Sequence, residues 1–459
     1  METQQRTAIV IGGSMAGLMA ARVLADHFTR VVILERDVLS EVAANRKGVP
    51  QGQHAHALLG QGRRIMEQYF PGLTESLIRQ GAPLGHGRFF SGGGYFVRHT
   101  QTPPTLYVSR PCLEAEVRRR VRGIDNVEVI DGCDVLGLVA SEDCRRVTGV
   151  RLIRRSDGAT AEVLPASLVV DASGRGSRTP AWLEHLGYAA PAVDLVEVGM
   201  GYTSRLYARK PDDLGGDLLI NIAPTPENRR ASAVLAQEGD RWIVTLAGYF
   251  GVHPRVDDAG FRDFARLLPT PDVYDLISHA QPLSDPVPFK FPANQRRRYE
   301  HLARFPDGLL VIGDAICSFT PIYGQGMSTA AMQVQALQEC LVHGEANLAR
   351  RFFRTAAKAI DIPWSLTVGN DRRLSGASQP APKRLLNWYM ARLQIAARRD
   401  PEVALAFLKV GSLFAPPASL LTPRMIVRVL RANLVRQGAG SPSLQQPAIG
   451  DRAETWRRQ

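Results

Sequence analysis

Residues Thr7 to Arg36 read TAIVIGGSMAGLMAARVLADHFTRVVILER. Ala8 to Ile11 is a short apolar run of the kind that forms a strand buried on both faces. Gly12 to Gly17 is a turn, Leu18 to Phe28 an Ala-rich stretch with helical spacing, and Val31 to Leu34 a second buried strand that ends on Glu35. Together they make a β-α-β unit of about 30 residues, the size of a dinucleotide-binding motif. Gly12 permits the tight turn and Gly17 lets the helix pack close to the strand. The backbone amides of Gly13, Ser14, Met15 and Ala16 open the helix and, with the positive end of its dipole, face a pyrophosphate. Glu35 is placed to accept a hydrogen bond from an adenosine ribose hydroxyl. Ser14 stands where the middle glycine of G-x-G-x-x-G is usual, and it is small enough to keep the pyrophosphate close.

Two further strand-to-loop junctions share this character. Leu168 to Asp171 is a buried strand that runs into Ala172-Ser173-Gly174-Arg175-Gly176-Ser177-Arg178. Leu309 to Ile312 is another, followed by Gly313-Asp314-Ala315-Ile316-Cys317-Ser318-Phe319-Thr320-Pro321-Ile322-Tyr323-Gly324-Gln325-Gly326-Met327-Ser328 and a long helix over Gly326 to Val342. Loops at the carboxyl ends of parallel strands are where ligands bind in such sheets. Asp314 can accept from a ribityl hydroxyl. Gly324 to Met327 presents amides and a helix N-terminus to an electron-rich ligand edge, which suits a flavin whose reduced form carries negative charge.

Between these junctions the pattern changes. Asn45 to Leu59 is broken by Pro and Gly, and a helix is expected from about His56 to Tyr69. His54 and His56, at i and i+2, cannot share a helix face, so they are not a metal pair. Arg46 and Lys47 either meet cofactor phosphates or form a basic surface loop. Pro71 to Thr105, with Phe89-Phe90-Ser91-Gly92-Gly93-Gly94-Tyr95-Phe96, suggests short strands with glycine turns. Ser109 can cap a helix over Leu113 to Val121. Asp134 to Ala140, Arg146 to Arg155 and Thr160 to Leu164 read as an antiparallel meander. From Asp194 on, four strand-like runs (Val196 to Tyr207, Gly216 to Ile222, Ala231 to Glu238, Arg241 to Tyr249) precede helices at Asp257 to Leu268 and Val273 to His279. This is an antiparallel sheet with helices on one side. Tyr202, Tyr207, Trp242, Tyr249 and Phe250 are candidates to line a pocket, though most aromatics in such a sheet are core. From Leu348 the chain is mainly helical. The stripe Met425-Ile426-Val429-Leu430-Leu434 suits packing on its own domain or contact with a membrane surface.

The chain has 459 residues, too many for one core, with 45% hydrophobic and 22% charged residues, as in soluble globular proteins. Its net charge of +12 favours anionic partners. No nucleic-acid motif accompanies that charge, and Arg118-Arg119-Arg120, Arg296-Arg297-Arg298 and Arg457-Arg458 read as solvated faces or tail. The five cysteines have no paired framework, which points to reduced thiols and a cytoplasmic location. The first strand begins almost at once, leaving no room for a signal peptide, and no apolar run reaches transmembrane length.

The three loops in this order resemble the FAD-dependent monooxygenases of the para-hydroxybenzoate hydroxylase fold over roughly residues 5 to 345. Within that fold, R-K-G-V-P-Q-x-x-H-A-H, D-x-x-G-R-G-S and P-x-Y-G-Q-G-M-S look most like the olefin epoxidases of polyether-antibiotic pathways. The resemblance implies a Rossmann-like α/β FAD-binding domain (residues 1–70, 105–190 and 300–345), a substrate-binding β-sheet domain (71–104 and 191–299), a C-terminal helical region (346–440) and a flexible tail (441–459). It implies Gly12, Gly13, Ser14, Met15, Ala16, Gly17, Glu35 and Arg36 around the adenosine and pyrophosphate. Arg46 and Arg110 fall near the phosphates or ribityl chain, Asp314 on the ribityl chain, and Pro321, Gly324, Gly326 and Met327 at the flavin. Arg46, His54 and Tyr323 are the polar candidates for catalysis, and no metal is implied.

The resemblance also implies a reaction. NAD(P)H, visiting transiently, or a separate flavin reductase reduces FAD. O2 is captured as a flavin C4a-hydroperoxide, and one oxygen atom passes to a polyene, polyketide or aromatic substrate. Two departures stand out: Asp171-Ala172-Ser173-Gly174 replaces the hydroxylases' A-D-G, and Cys317 stands where many members have His. The halogenase W-x-W-x-I-P is absent. Rival readings are an aromatic hydroxylase, an isoprenoid double-bond reductase, and a cyclase or binding scaffold holding FAD structurally.

Overall fold

The computed structural model describes residues 6–157, 160–376 and 378–434, so the tail expected from Ser441 lies outside the described residues. The chain opens with β1 (Thr7–Ile11), α1 (Met15–Leu24) and β2 (Arg30–Leu34). Every residue of β1 is buried, which is why the run is apolar throughout. α1 starts and stops earlier than the Leu18 to Phe28 of the sequence reading. Ser14 is its N-cap, and the amides of both His27 and Phe28 turn back to the Leu24 carbonyl.

Next come α2 (Gly60–Tyr69), α3 (Leu73–Arg79), β3 (Leu84–Gly85), β4 (Arg88–Ser91), β5 (Gly94–Tyr95), β6 (Thr105–Leu106), α4 (Arg110–Arg122) and β7 (Val127–Ile130). α2 begins at Gly60, not His56. The preceding residues stay extended because Ala55 donates its amide to Thr245 Oγ1 and Ala57 packs on Gly324. Ser109 caps α4 by accepting from the Cys112 amide.

β8 (Cys133–Ala140), β9 (Val147–Arg154) and β10 (Ala161–Pro165) form a separate three-stranded antiparallel meander. The chain then adds β11 (Leu168–Asp171), α5 (Thr179–His185), β12 (Val193–Ala208), β13 (Leu219–Ile222), β14 (Arg230–Gln237), β15 (Arg241–Gly248), α6 (Asp258–Arg266), α7 (Asp272–His279), β16 (Val287–Arg297), β17 (Leu309–Val311) and β18 (Cys317–Ser318). α8 (Gln325–Val342), α9 (Leu348–Ser375), α10 (Ala381–Ala396), α11 (Pro401–Gly411) and α12 (Pro423–Leu434) complete it.

Two sheets organise the molecule. The first is five-stranded and parallel, in the order β17-β11-β1-β2-β7. The second is eight-stranded, β18-β16-β12-β15-β14-β13-β4-β5. It is antiparallel except where β4, from the Phe89-Phe90 segment, runs parallel to β13. Its two faces have different roles. Val234, Ala236, Val244 and Leu246 pack on Phe261 and Phe264 of α6. The alternate residues Ala233, Leu235, Thr245 and Ala247 face the other way, as the two-residue period of a strand requires.

Two of the three arginine runs depart from the expected solvated faces, and Arg457-Arg458 lies outside the described residues. Arg296 and Arg297 are buried because β16 carries them through the sheet. Arg296 pairs with Glu300 and Asp361, and Arg297 donates to the carbonyls of Ala315 and Arg175. Arg118 is buried beside Glu114 and donates to the Ser40 carbonyl. Arg119 alone of its run points outward, paired to Glu116. Val429 of α12 is fully buried in the C-terminal cluster while Val427, Leu430 and Leu434 remain exposed. No helix among the described residues is long and apolar enough to cross a membrane.

Candidate active site

The dinucleotide turn sits at the carboxyl end of β1. Gly12 has φ +105°, and a Cβ there would lie 2.7 Å from the Ala172 carbonyl oxygen. A Cβ on Gly17 would lie 1.8 Å from the Gly12 oxygen, so helix and turn touch backbone to backbone. Glu35 accepts from the Gly13 amide at 2.7 Å and from the Asp37 amide at 2.9 Å. Arg36 beside it is exposed.

Under the turn lies a compact charge cluster. Arg46 bonds Glu114 at 2.8 Å and Asp37 at 3.0 Å and reaches Glu35 at 3.2 Å. Arg110 bonds Glu114 at 2.9 Å and Ser14 Oγ at 2.7 Å, and Ser14 Oγ donates to Glu114 at 2.9 Å. Burial works against the Glu114 charge, but Arg110 and Arg46 outweigh it and hold the carboxyl below its usual range. This buried network fixes Ser14 and the opening of α1. Arg46 belongs to it rather than to the cavity described below.

Asp314 stands at the end of β17. It accepts no hydrogen bond among the described residues, and burial, only partly countered by Arg110 and Arg175, pushes its pKa up to about 6. A half-buried carboxyl lacking donors fits a ligand that brings hydroxyls. In the loop after β11, Asp171 is wholly structural: its two oxygens accept from the Ser173 amide and hydroxyl, Ser177 and Thr179. That holds the loop open with Arg175 stacked on Phe291, 4.9 Å from the ring centre.

Between the free face of the large sheet and the C-terminal helices lies a cavity of about 610 Å³. One wall is the sheet, with Met200, Tyr202, Leu219, Asn221, Leu235, Thr245 and Ala247. A second is Pro321 to Gln325. The rest comes from α9, α10, α11 and the following turn, including Leu366, Met390, Phe407 and Leu420. Gly324, at φ +63°, is the N-cap of α8, and a Cβ there would lie 3.2 Å from the Ala57 side chain. Gln325 is held by Thr367 at 2.9 Å. Tyr202, Phe89 and Tyr107 line this space, whereas Tyr207 and Trp242 pack with α6 and α7 on the opposite face. Their positions in β12 and β15 have the wrong parity for the cavity.

Of the other catalytic candidates, Tyr323 lines the cavity. Its hydroxyl donates to Asp371 at 2.8 Å, and burial raises its pKa well above the usual value, so it stays a phenol. His54 is buried beneath the sheet wall. Its Nδ1 lies 2.8 Å from Ser204 Oγ, which lies 2.6 Å from Thr245 Oγ1 at the cavity. Burial, helped by His56, brings the His54 pKa down to about 4, so the ring is neutral at pH 7. Asp371 escaped the sequence reading. It is buried in α9, accepts from Asn294 at 2.6 Å and Thr320 at 2.7 Å as well as Tyr323, and burial outweighs these donors to raise its pKa. The signal for it was its place on the apolar stripe Ile360, Trp364, Thr367, Leu374.

No family model matches the chain. Protein Rv3254 of Mycobacterium tuberculosis is 34% identical over 452 residues, spanning 94% of this chain and 95% of that protein. The chain belongs to the Rv3254 family. Across that family's length lies a more distant relative, the kynurenine 3-monooxygenase of Salinispora arenicola, 25% identical over 426 residues and spanning 84% of this chain and 85% of that protein. Among solved structures, the flavin-dependent brominase Bmp2 matches with a TM-score of 0.66 at 14% identity, covering 93% of this chain and 97% of the other. The p-nitrophenol 4-monooxygenase PnpA from Pseudomonas putida matches with 0.63 at 18%, covering 89% and 99%. This Rv3254-family chain therefore has the flavoprotein monooxygenase fold: a Rossmann-like parallel sheet, a second large sheet and C-terminal helices.

Proposed function

We propose that this protein is an FAD-dependent monooxygenase that transfers one oxygen atom from O2 to a hydrophobic natural-product substrate, with olefin epoxidation as the favoured reaction. The observation that carries the reading is the cavity itself, apolar and bounded on one side by Pro321 to Gln325. Residues present on both sides fit FAD. The turn from Gly12 to Gly17 would take the pyrophosphate, Glu35 the adenosine ribose, Arg110 a phosphate, and the donor-free Asp314 a ribityl hydroxyl. Gly324, Gly326 and Met327 would meet the ring. Bound and reduced by NAD(P)H or a separate reductase, FAD supplies the activation of O2.

The chain's own contribution is binding, orientation and exclusion of water. The parallel-sheet layers of residues 1–70, 105–190 and 300–345 would form the cofactor side, and residues 71–104 and 191–299 the substrate wall. α9 to α11 form the cavity wall opposite the sheet. Tyr323, whose single hydroxyl hydrogen is given to Asp371, presents a neutral oxygen that can accept at the reacting wall, and the His54–Ser204–Thr245 chain offers a second polar point on the sheet. The polyether-type motifs in the sequence support epoxidation over ring hydroxylation.

The test is mass spectrometry of products after NADPH or NADH and O2 are supplied to the purified yellow protein with candidate polyenes. A product heavier by one oxygen atom is expected. A product heavier by two hydrogens would make the protein a double-bond reductase. Turnover undiminished when the flavin is held permanently reduced would make it a cyclase or scaffold.

A further inference from the structure

Helix α9 turns one face to the cavity. Ser365, Leu366, Gly369, Asn370 and Arg373 all line it, a spacing that places them on one side of a helix. A Cβ on Gly369 would meet nothing within 4 Å, so the helix backbone is bare to the cavity there. Among the described residues, Arg373 is the only charged one of the lining. It is half-buried, and among the described residues its guanidinium forms no ion pair and no hydrogen bond. The exposed Glu227 senses its charge from beyond ion-pair reach. Comparable arginines of the large sheet are paired: Arg88 with Asp217 and Asp272, Arg205 with Asp258. An unpaired guanidinium beside an apolar space is a receptor for an anion.

We propose that the cavity takes an elongated apolar acid whose single carboxylate is held by Arg373, with the neutral amide of Asn370 beside it. The inference rests on reading the cavity as the substrate site. One guanidinium balances one negative charge. A phosphate dianion would need a second cation, and the lining has none. The same helix that offers Arg373 is tied to Tyr323 through Asp371. The acid anchor on α9 and the Pro321 to Gln325 wall are thus tied to each other, which fixes how far the reacting carbon lies from the carboxylate. The apolar remainder of the molecule then has the Met390, Phe407 and Leu420 side to fill.

Isothermal titration calorimetry of the purified holoenzyme tests this with dodecanoate, dodecan-1-ol and dodecyl phosphate. Arg373→Met keeps the apolar stem and removes the charge, Arg373→Lys keeps the charge, and Arg79→Met, on an exposed helix, controls for the basic surface. The wild type and Arg79→Met are expected to bind dodecanoate about tenfold more tightly than the alcohol, as a charge-assisted pair implies. Arg373→Met should bind the two within about twofold, and Arg373→Lys should keep a reduced preference. Equal wild-type affinities, a preference that survives in Arg373→Met, a loss shared by Arg79→Met, tighter binding of dodecyl phosphate, or no binding of dodecanoate would each overturn the proposal. Binding needs no turnover, so failure here leaves the oxygenase reading standing, and a protein that oxygenates nothing leaves this result standing.

Discussion

Tyr323 donates its phenolic hydrogen to Asp371 at 2.8 Å, joining the segment before α8 to the C-terminal part of α9. The other Asp371 oxygen accepts from Asn294 of β16 and from Thr320. One carboxylate therefore ties a sheet strand, a cavity loop and a C-terminal helix together. Asp371→Asn has one acceptor oxygen and brings two hydrogens, so at least one of these donors is left facing a donor. The variant should lose about 2–3 kcal/mol of stability, read as a lower denaturant midpoint. Because burial raises the Asp371 pKa, its charge opposes folding. Wild-type stability should fall from this group as pH rises above the usual carboxylate range, and Asp371→Asn should lack that slope.

Gly17→Ala places a methyl group on the Gly12 carbonyl. The turn and the start of α1 cannot both keep their positions. FAD affinity is expected to drop at least about a hundredfold, on the order of 3 kcal/mol, while Gly369→Ala, which meets open space, should bind FAD normally. Fluorescence titration of the deflavinated proteins distinguishes the two.

Glu114→Gln removes the charge that Arg46, Arg110 and Arg118 share. Uncompensated buried cations are costly, about 3–5 kcal/mol for a broken buried pair. A melt should show this, and retained wild-type stability would mean that Asp37 and Glu35 suffice for the cluster.

Asp314 offers a pH signature. Without cofactor its pKa lies near about 6. If the ionised carboxylate accepts a ribityl hydroxyl, FAD binding favours the ionised form, so affinity should rise as pH increases through about 6. Flavin fluorescence quenching between pH 5 and 7.5 should show the inflection, and Asp314→Asn should abolish it.

The slope of stability with pH from His54 is opposite to that from Asp371. Its folded pKa of about 4 lies below the 6.5 of the free ring. The unfolded chain takes up protons first, so stability is full above pH 6.5 and is lost as pH falls toward 4. By pH 5 the loss is about 2 kcal/mol. His54→Asn should be less acid-sensitive but not insensitive, since His56, also lowered to about 4, retains its share. Urea midpoints at pH 7 and pH 5 supply the comparison.

Much of the cofactor half was legible because its glycines and apolar runs answer local demands. Gly17 is required by a contact five residues away, Gly12 takes the positive φ of the turn itself, and β1 and β2 are apolar because nothing but protein surrounds them. β16 was not legible. VPFKFPANQRR carries two prolines, a lysine and two arginines that obscure its alternation, and β12 on one side and β18 on the other make it a strand. The large sheet could be read as a sheet, but which face looked into the cavity depends on register, so Tyr202 and Tyr207 could not be told apart. The third wall was hidden for a different reason. Asp371, Arg372 and Arg373 follow one another in a helix, and only tertiary packing buries the first, exposes the second and turns the third to the cavity.

The parallel sheet also governs how this chain comes to be made. β1 lies between β2 and β11, and β11 next to β17, so a strand finished at Ile11 meets its second neighbour after residue 168, and the sheet closes only at Val311. At the usual pace of synthesis, about 5–20 residues per second, that is roughly 8–30 s during which the Ala8 to Ile11 edge is without its partner. Pairing over such separations is intrinsically slow. Expression yield in a foreign host should therefore depend on chaperone supply and temperature more than on the stability of the finished protein.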